Sequence, residues 1–215
     1  MALTGGTVGI AVLEQLAASP LRDAVDWTGV HLWWGDERFL PSGDPDRNET
    51  QARSALLDAL PIPSENVHPM PASGTSGLDS PDAGAVAYAA ELARFAAEHV
   101  GTEPTRPAAP AFDVVLLGMG PDGHVASLFP GLDGVHVTDR TVIGVHGSPK
   151  PPPERLSLTF PVIQAADEVW IVVAGAEKAE AAARGLADDD VTRTPAAGAR
   201  GRSRTLWLLD IAAAG

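Results

Sequence analysis

Strand-like apolar runs alternate with helix-like segments along the whole chain of 215 residues. This alternation is typical of βα units, in which each helix carries the chain back so that successive strands run parallel. The expected strands cover residues 2–3, 30–34, 112–117, 141–145, 169–174 and 206–209. The expected helices cover residues 10–18, 47–60, 83–100 and 176–186. We therefore expect an α/β, Rossmann-like three-layer fold, with a largely parallel central sheet flanked by helices and a single domain over residues 1–215.

Charge and composition exclude several classes of function. The chain has 15 basic and 28 acidic residues and a formal net charge of −13, and such a surface repels the phosphate backbone of nucleic acids. No apolar run approaches the ~20 residues that span a bilayer, so we expect no membrane partner and a cytoplasmic location. The absence of cysteine excludes disulfides and thiolate chemistry. We expect no metal site, because the following histidines are scattered along the sequence: His31, His68, His99, His136 and His146.

The segment Thr4-Gly5-Gly6-Thr7 lies where the first expected strand leads into a helix, and we expect residues 4–9 to form a loop. Small residues at such a position let backbone N–H groups and the helix N-terminus approach an anion closely. The alternative is a tight βα turn that needs glycine only for its backbone dihedral angles. The residues themselves leave both interpretations open.

A glycine-rich loop, Gly118-Met119-Gly120-Pro121-Asp122-Gly123-His124, follows the most apolar of the expected strands. Open α/β sheets bind ligands at the carboxyl ends of their strands. Histidine is a common general acid or base, and Asp122 can orient His124, so the pair is a candidate general base or acid. The alternative is that His124 caps a following short helix or closes a hydrogen bond within the loop.

Three cations are candidate ligands for an anion. Arg38 follows the second expected strand in Asp-Glu-Arg, and arginine makes bidentate contacts with phosphate. Lys178 falls in the first turn of an expected helix, where a cation is disfavoured unless an anion lies nearby. Arg155 is ambiguous by itself. The alternatives are a surface salt bridge for Arg38 and a solvated side chain for Lys178.

The order of these segments resembles one enzyme family. The segments are Leu-Thr-Gly-Gly-Thr, Trp-Trp-Gly-Asp-Glu-Arg, Leu-Leu-Gly-Met-Gly-Pro-Asp-Gly-His-Val-Ala-Ser-Leu-Phe-Pro, Glu-Arg-Leu-Ser-Leu-Thr-Phe-Pro-Val-Ile and Gly-Ala-Glu-Lys-Ala. Together they resemble the 6-phosphogluconolactonases, over about residues 3–210. The wider superfamily includes glucosamine-6-phosphate deaminases and isomerases, which share a Gly-x-Asp-Gly-His loop. Arg38 and the Ser127-Leu128-Phe129 segment favour the lactonase branch.

The resemblance implies hydrolysis of 6-phosphogluconolactone to 6-phosphogluconate in the oxidative pentose phosphate pathway, without a metal or organic cofactor. By similarity, His124 is the general base that activates water, and Asp122 positions its loop. The resemblance implies a phosphate site made of these residues: Gly5, Gly6, Thr7, Arg38, Arg155 and Lys178. The small-molecule partner is then a sugar-phosphate lactone, and we expect a monomer or weak homodimer.

Two departures from the family pattern concern the N-terminal part of the chain. The family's first loop usually reads Ser-Gly-Gly-Ser-Thr-Pro, whereas Thr7-Val8-Gly9 here removes one hydroxyl and the proline, which predicts weaker phosphate binding. Family members usually begin with a helix and a complete strand before this loop, so we expect a truncated N-terminal strand. Two other functions stay open: a glucosamine-6-phosphate isomerase or deaminase, and a non-catalytic sugar-phosphate sensing module of the same fold.

Overall fold

The computed structural model describes residues 1–99 and 108–215 of the chain. The strands are β1 (Ala2–Leu3), β2 (Trp33–Trp34), β3 (Asp36–Arg38), β4 (Val114–Gly118), β5 (Val142–Val145), β6 (Arg155–Leu158), β7 (Glu168–Val173) and β8 (Arg204–Leu209). The α-helices are α1 (Gly6–Ala18), α2 (Asn48–Ala55), α3 (Pro81–His99), α4 (Phe160–Gln164), α5 (Ala179–Leu186) and α6 (Ile211–Ala214). The predicted end of the third helix, residue 100, lies outside the described residues. Within the described ranges no helix is both long enough and apolar enough to cross a bilayer.

The central sheet has five strands in the order β2-β1-β4-β7-β8, and every neighbouring pair is parallel. The strand order reverses between β1 and β4, because β2 lies on one side of β1 and the later strands lie on the other. The connections that leave β1 and β4 therefore diverge around a crevice, where open α/β sheets bind ligands. The expected α/β fold, with a largely parallel sheet flanked by helices, is confirmed.

A second sheet lies beside the first, and the sequence did not predict it. It has the order β3-β6-β5, and both pairs are antiparallel. The strand expected over residues 141–145 is present as β5, but it lies in this antiparallel sheet and not in the central one. The chain turns back between β5 and β6 without a helical crossover, so the two strands can pair only in opposite directions. The short strands β3 and β6 carry charged and hydroxyl residues, which weaken their apolar strand signal.

The predicted helix boundaries also need correction at α1 and α2. Helix α1 begins at Gly6, although the sequence predicted a loop over residues 4–9. The small residues of this segment fit a helical turn packed on the strand end, because a Cβ at Gly9 would approach the Thr4 carbonyl oxygen to 2.8 Å. The predicted helix over residues 47–60 ends at Ala55, where Leu56 leaves the helical conformation with φ −150°.

The outer edge of β2 is covered by polar and aromatic side chains from elsewhere in the chain. The hydroxyl of the buried Tyr88 accepts a hydrogen bond from the Trp34 backbone N–H at 3.1 Å and donates one to the His68 carbonyl at 3.1 Å. The ring of His68 stacks on Trp33 and approaches His31, with 3.0 Å between Nε2 and Nδ1. The fold thus brings together two histidines that are scattered in the sequence.

Replacing Tyr88 by Phe tests the contribution of this hydroxyl. The substitution leaves the Trp34 N–H and the His68 carbonyl without their partner, and each lost buried hydrogen bond costs about 1 to 3 kcal/mol. Because two such hydrogen bonds are lost, we expect the free energy of unfolding, measured with urea, to fall by about 2 to 6 kcal/mol. A variant as stable as the wild type would contradict a structural role for these two hydrogen bonds.

Candidate active site

A cavity of about 260 Å³ lies at the carboxyl ends of β1 and β4. It is lined by the loop and first turn that follow β1, by the glycine-rich loop that follows β4, and by side chains from the small sheet and its loops. Seven predicted site residues line it: Gly5, Gly6, Thr7, Arg38, His124, Arg155 and Lys178. Asp122 is not part of the lining and contacts His124 from the side.

One end of the cavity is formed by the N-terminus of α1. The capping residue is Gly5, which makes no side-chain hydrogen bond to the helix, and the first turn contains no acidic residue. The first N–H groups of a helix have no partner within the helix, and the helix dipole makes this end positive. The strand end and helix start therefore present backbone donors to the cavity, as the anion-binding interpretation of Gly5, Gly6 and Thr7 predicts.

The histidine and the aspartate of the glycine-rich loop are in direct contact. His124 Nδ1 lies 2.6 Å from Asp122 Oδ1, and both side chains are partly buried. Burial raises the pKa of Asp122, but the hydrogen bond and charge of His124 and the charge of Lys150 outweigh it and lower the pKa to about 2. Because Nδ1 faces the carboxylate, Nε2 is the ring nitrogen that can act on a ligand.

Glycine at position 120 is required for this arrangement. A Cβ there would lie 2.2 Å from the His124 ring and 2.4 Å from Asp122 Oδ1. The backbone also closes on itself, since the Gly120 N–H donates to the His124 carbonyl at 3.0 Å and the Gly123 N–H donates to the Gly120 carbonyl at 2.9 Å. Residues 125–132 form bridges and turns, so the alternative in which His124 caps a following helix is wrong.

Three predicted cations reach the cavity from different elements. Arg38, at the end of β3, donates from Nη1 to the Asp46 carbonyl. Lys178 ends a short 3₁₀ turn and immediately precedes α5, so it lies just before the α-helix and not in its first turn. Arg155 is buried, and its Nε and Nη2 donate to the backbone carbonyls of residues 150–152 at 2.9 to 3.2 Å. Its Nη1 lies 3.9 Å from Asp36 Oδ2.

The comparisons with known proteins agree with these features. The model of a family described as glucosamine-6-phosphate isomerases/6-phosphogluconolactonase matches residues 1–207. The chain belongs to this family. A relative named 6-phosphogluconolactonase from Streptomyces coelicolor is 59% identical over 213 residues, which cover 99% of this chain and 79% of the relative. The resemblance deduced from the sequence motifs is confirmed.

Solved structures of the family share the fold. The structure of a 6-phosphogluconolactonase from Trypanosoma brucei superimposes with a TM-score of 0.78 at 30% identity, covering 99% of this chain and 84% of that one. A monomeric glucosamine-6-phosphate deaminase superimposes with a TM-score of 0.75, covering 99% of this chain and 86% of that one. Its sequence identity is only 19%, so this second likeness shows the fold alone.

Lys150 also lines the cavity, although the sequence did not predict it as a site residue. Burial lowers the pKa of Lys150, Asp122 opposes this effect, and Lys178 and Arg155 add to it. The only signal in the sequence is that Lys150 and Lys178 are the two lysines of the chain. Because Lys150 lies in an extended proline-rich segment, nothing local shows that it points toward the cavity.

Asp36 and Asn48 also line the cavity and were not predicted. Asp36 Oδ2 accepts a hydrogen bond from the Ser127 hydroxyl at 2.7 Å, and Asn48 Nδ2 donates to the Asp36 carbonyl at 2.9 Å. The sequence offered a surface salt bridge as the alternative for the Asp-Glu-Arg segment. That alternative is wrong for its two carboxylates, since Asp36 is 7% exposed and Glu37 is fully buried.

Within residues 1–99 and 108–215, no group of three or more His, Cys, Asp or Glu side chains is arranged to hold a metal ion. The buried carboxylate of Glu37 instead accepts hydrogen bonds from three backbone N–H groups, those of Arg38, Asn48 and Glu49. Burial raises its pKa to about 7, although the Arg47 guanidinium and these hydrogen bonds oppose the shift.

The Glu37→Gln variant tests this raised pKa through the pH dependence of stability. The folded-state pKa of about 7 exceeds the ordinary value of 4.5, so the folded protein binds the proton more tightly between these pH values. The free energy of unfolding of the wild type, relative to that of the variant, should therefore fall as pH rises from 4.5 to about 7. The expected slope is about 1.4 kcal/mol per pH unit. Urea unfolding across this range measures it, and a difference that does not change with pH would contradict the assignment.

Proposed function

We propose that this protein hydrolyses 6-phosphogluconolactone to 6-phosphogluconate, the lactonase step of the pentose phosphate pathway. The observation that supports it best is one cavity with a histidine–aspartate pair at its wall and an uncapped helix N-terminus with several cations around it. The chain is an enzyme of the lactone hydrolase type, as its 59% identical relative is named. We also infer that residues 1–215 form one domain, because the buried apolar side chains of the described residues make one connected core.

In the proposed reaction His124 acts as the general base. Its Nε2 takes a proton from a water molecule while the water oxygen forms a bond to the lactone carbonyl carbon. The tetrahedral intermediate then breaks its bond to the ring oxygen, and the same nitrogen returns the proton to that oxygen, which leaves a carboxylic acid and a free hydroxyl. Asp122, whose pKa is about 2, stays ionised at neutral pH and stabilises the imidazolium that forms between the two steps.

The proposal assigns the substrate phosphate to the other end of the cavity. The N–H groups of Gly5, Gly6 and Thr7 and the side chains of Arg38, Arg155 and Lys178 are its proposed ligands, and Lys150 adds a further cation. A chain with net charge −13 repels anions at long range, so a phosphate ester needs local cations to bind. Binding energy from this remote group holds the lactone carbonyl in register with His124.

The oligomeric state and the cytoplasmic location expected from the sequence stay predictions. Amino-sugar phosphate deamination and ligand sensing are the other two functions considered. Ammonia release from glucosamine-6-phosphate would support the first of these. Tight binding of a sugar phosphate without turnover would support the second.

Replacing His124 by Ala tests the proposed base. Loss of a general base lowers the rate by about 10² to 10⁴ fold, so we expect kcat for freshly prepared 6-phosphogluconolactone to fall within that range while the fold is kept. The rate must be corrected for spontaneous opening of the lactone. His146→Ala is the matched control, because His146 is exposed, pairs with Asp82 and is not part of the cavity lining. Wild-type activity in the His124 variant would exclude it as the base.

Replacing Arg38 by Ala tests the proposed phosphate contact. The substitution removes a cation from a group that does not react, so we expect KM to rise by about tenfold with a smaller change in kcat. The measurement is steady-state hydrolysis, with Arg22→Ala as a control because Arg22 lies outside the cavity lining and pairs with Asp23. An unchanged KM would argue against phosphate binding by Arg38.

A further inference from the structure

The N-terminus of α2 is capped by a side chain from outside the helix. Glu37, on β3, accepts with Oε1 from the backbone N–H groups of Arg38 at 2.8 Å and Asn48 at 2.7 Å, and with Oε2 from that of Glu49 at 2.9 Å. The residue before the helix, Arg47, makes no side-chain cap. Glu37 therefore supplies the acceptors that a capping residue normally provides, and the Arg47 guanidinium, 3.7 Å away, balances its charge.

Asn48 connects this cap to the loop that begins α1. It is the first residue of α2, and its Nδ2 donates to the Asp36 carbonyl at 2.9 Å. Its Oδ1 lies so close to Gly5 that a Cβ at Gly5 would be 1.8 Å from it. Asn48 is 3% exposed, so its amide has little room to move. The Glu37 carboxylate thus holds the backbone of Asn48, and the side-chain amide of the same residue lies against the backbone of Gly5.

Helices α1 and α2 both begin at the cavity, but a protein side chain caps α2 and none caps α1. The first N–H groups of α2 already bind the Glu37 carboxylate. Helix α1 follows Gly5, which has no side chain to cap it, and has no acidic residue in its first turn. An anion entering the cavity therefore finds donors at α1 and a protein carboxylate already bound at α2.

We propose that Glu37 is a positioning residue for the phosphate-binding loop. By capping α2 it fixes the Asn48 amide against Gly5, and this contact holds the N–H groups of residues 5–7 in place for the substrate's anion. The inference rests on the proposed function, in which these groups bind the phosphate. Glu37 does not touch the substrate, because it is fully buried and lies outside the cavity lining.

The test uses three variants and one matched control. Glu37→Gln keeps the size of the side chain but replaces one acceptor oxygen with a donor, which cannot accept from a backbone N–H. Asn48→Ala removes the amide and keeps the backbone N–H that Glu37 binds. The double variant shows whether Glu37 acts on the phosphate-binding loop through Asn48. Glu49→Gln is the control, because it removes a neighbouring carboxylate, 3.3 Å from Arg47, that does not cap α2.

The readouts are KM and kcat for the lactone, and the Kd of inorganic phosphate by calorimetry. We expect Glu37→Gln and Asn48→Ala each to raise KM and the phosphate Kd about tenfold, the effect of weakening about one hydrogen bond to a charged group. We expect kcat to stay within about twofold, because His124 keeps its place. The double variant should bind phosphate no more weakly than Asn48→Ala, and Glu49→Gln should match the wild type. Phosphate binding is measured without the reaction, so a wild type that binds phosphate but leaves the lactone intact would contradict the proposed function and not the role of Glu37.

Several results would overturn the inference. One is an unchanged phosphate Kd in folded Glu37→Gln. Another is a double variant in which the two effects add, because additive effects indicate independent routes. If Glu37→Gln does not fold, Asn48→Ala decides the question alone. An unchanged phosphate Kd in that variant shows that the Asn48 amide does not hold the loop.

Discussion

The reversal of strand order between β1 and β4 is the constraint from which the geometry of the site follows. Because the chain leaves these neighbouring strands toward opposite sides of the sheet, their carboxyl ends open into a crevice instead of being covered by a crossover. One strand end leads into the N-terminus of α1, and the other leads into the loop that contains His124. The small antiparallel sheet closes the side of the crevice and adds Arg38 and Arg155. A binding end and a reactive end thus share one cavity of about 260 Å³.

The charged side chains around the cavity of this acidic chain fall into two groups: buried carboxylates and cations that line the cavity. Buried carboxylates next to the cavity are satisfied by the protein itself: Asp36 by the Ser127 hydroxyl, and Glu37 by three backbone N–H groups. The cations that line the cavity differ in the hydrogen bonds that they make to the protein. Arg155 binds backbone carbonyls and thereby also fixes the loop that carries Lys150. The result is a local positive potential within a molecule of net charge −13.

Glycine at two positions allows close contacts on both sides of the site. The contact between His124 and Asp122 exists only because residue 120 lacks a side chain, and hydrogen bonds within the loop keep its shape. On the other side of the cavity, the Asn48 amide can lie close to Gly5 because Gly5 also lacks a side chain. Both loops can therefore hold their donors and their base before a ligand arrives, which reduces the reorganisation that binding and catalysis would require.

The sequence by itself determined the α/β class, the loop that pairs Asp122 with His124, and the glycine-rich segment between β1 and α1, because these features depend on residues close together in the chain. It placed the start of α1 at residue 10, whereas the helix begins at Gly6. It did not predict the antiparallel sheet, since short strands of charged and hydroxyl residues carry no clear apolar period. It also missed Lys150, Asp36 and Asn48, whose place in the cavity depends on contacts between distant segments. Only the tertiary structure decided these, because burial and hydrogen bonding across long sequence separations determine which polar side chains turn inward.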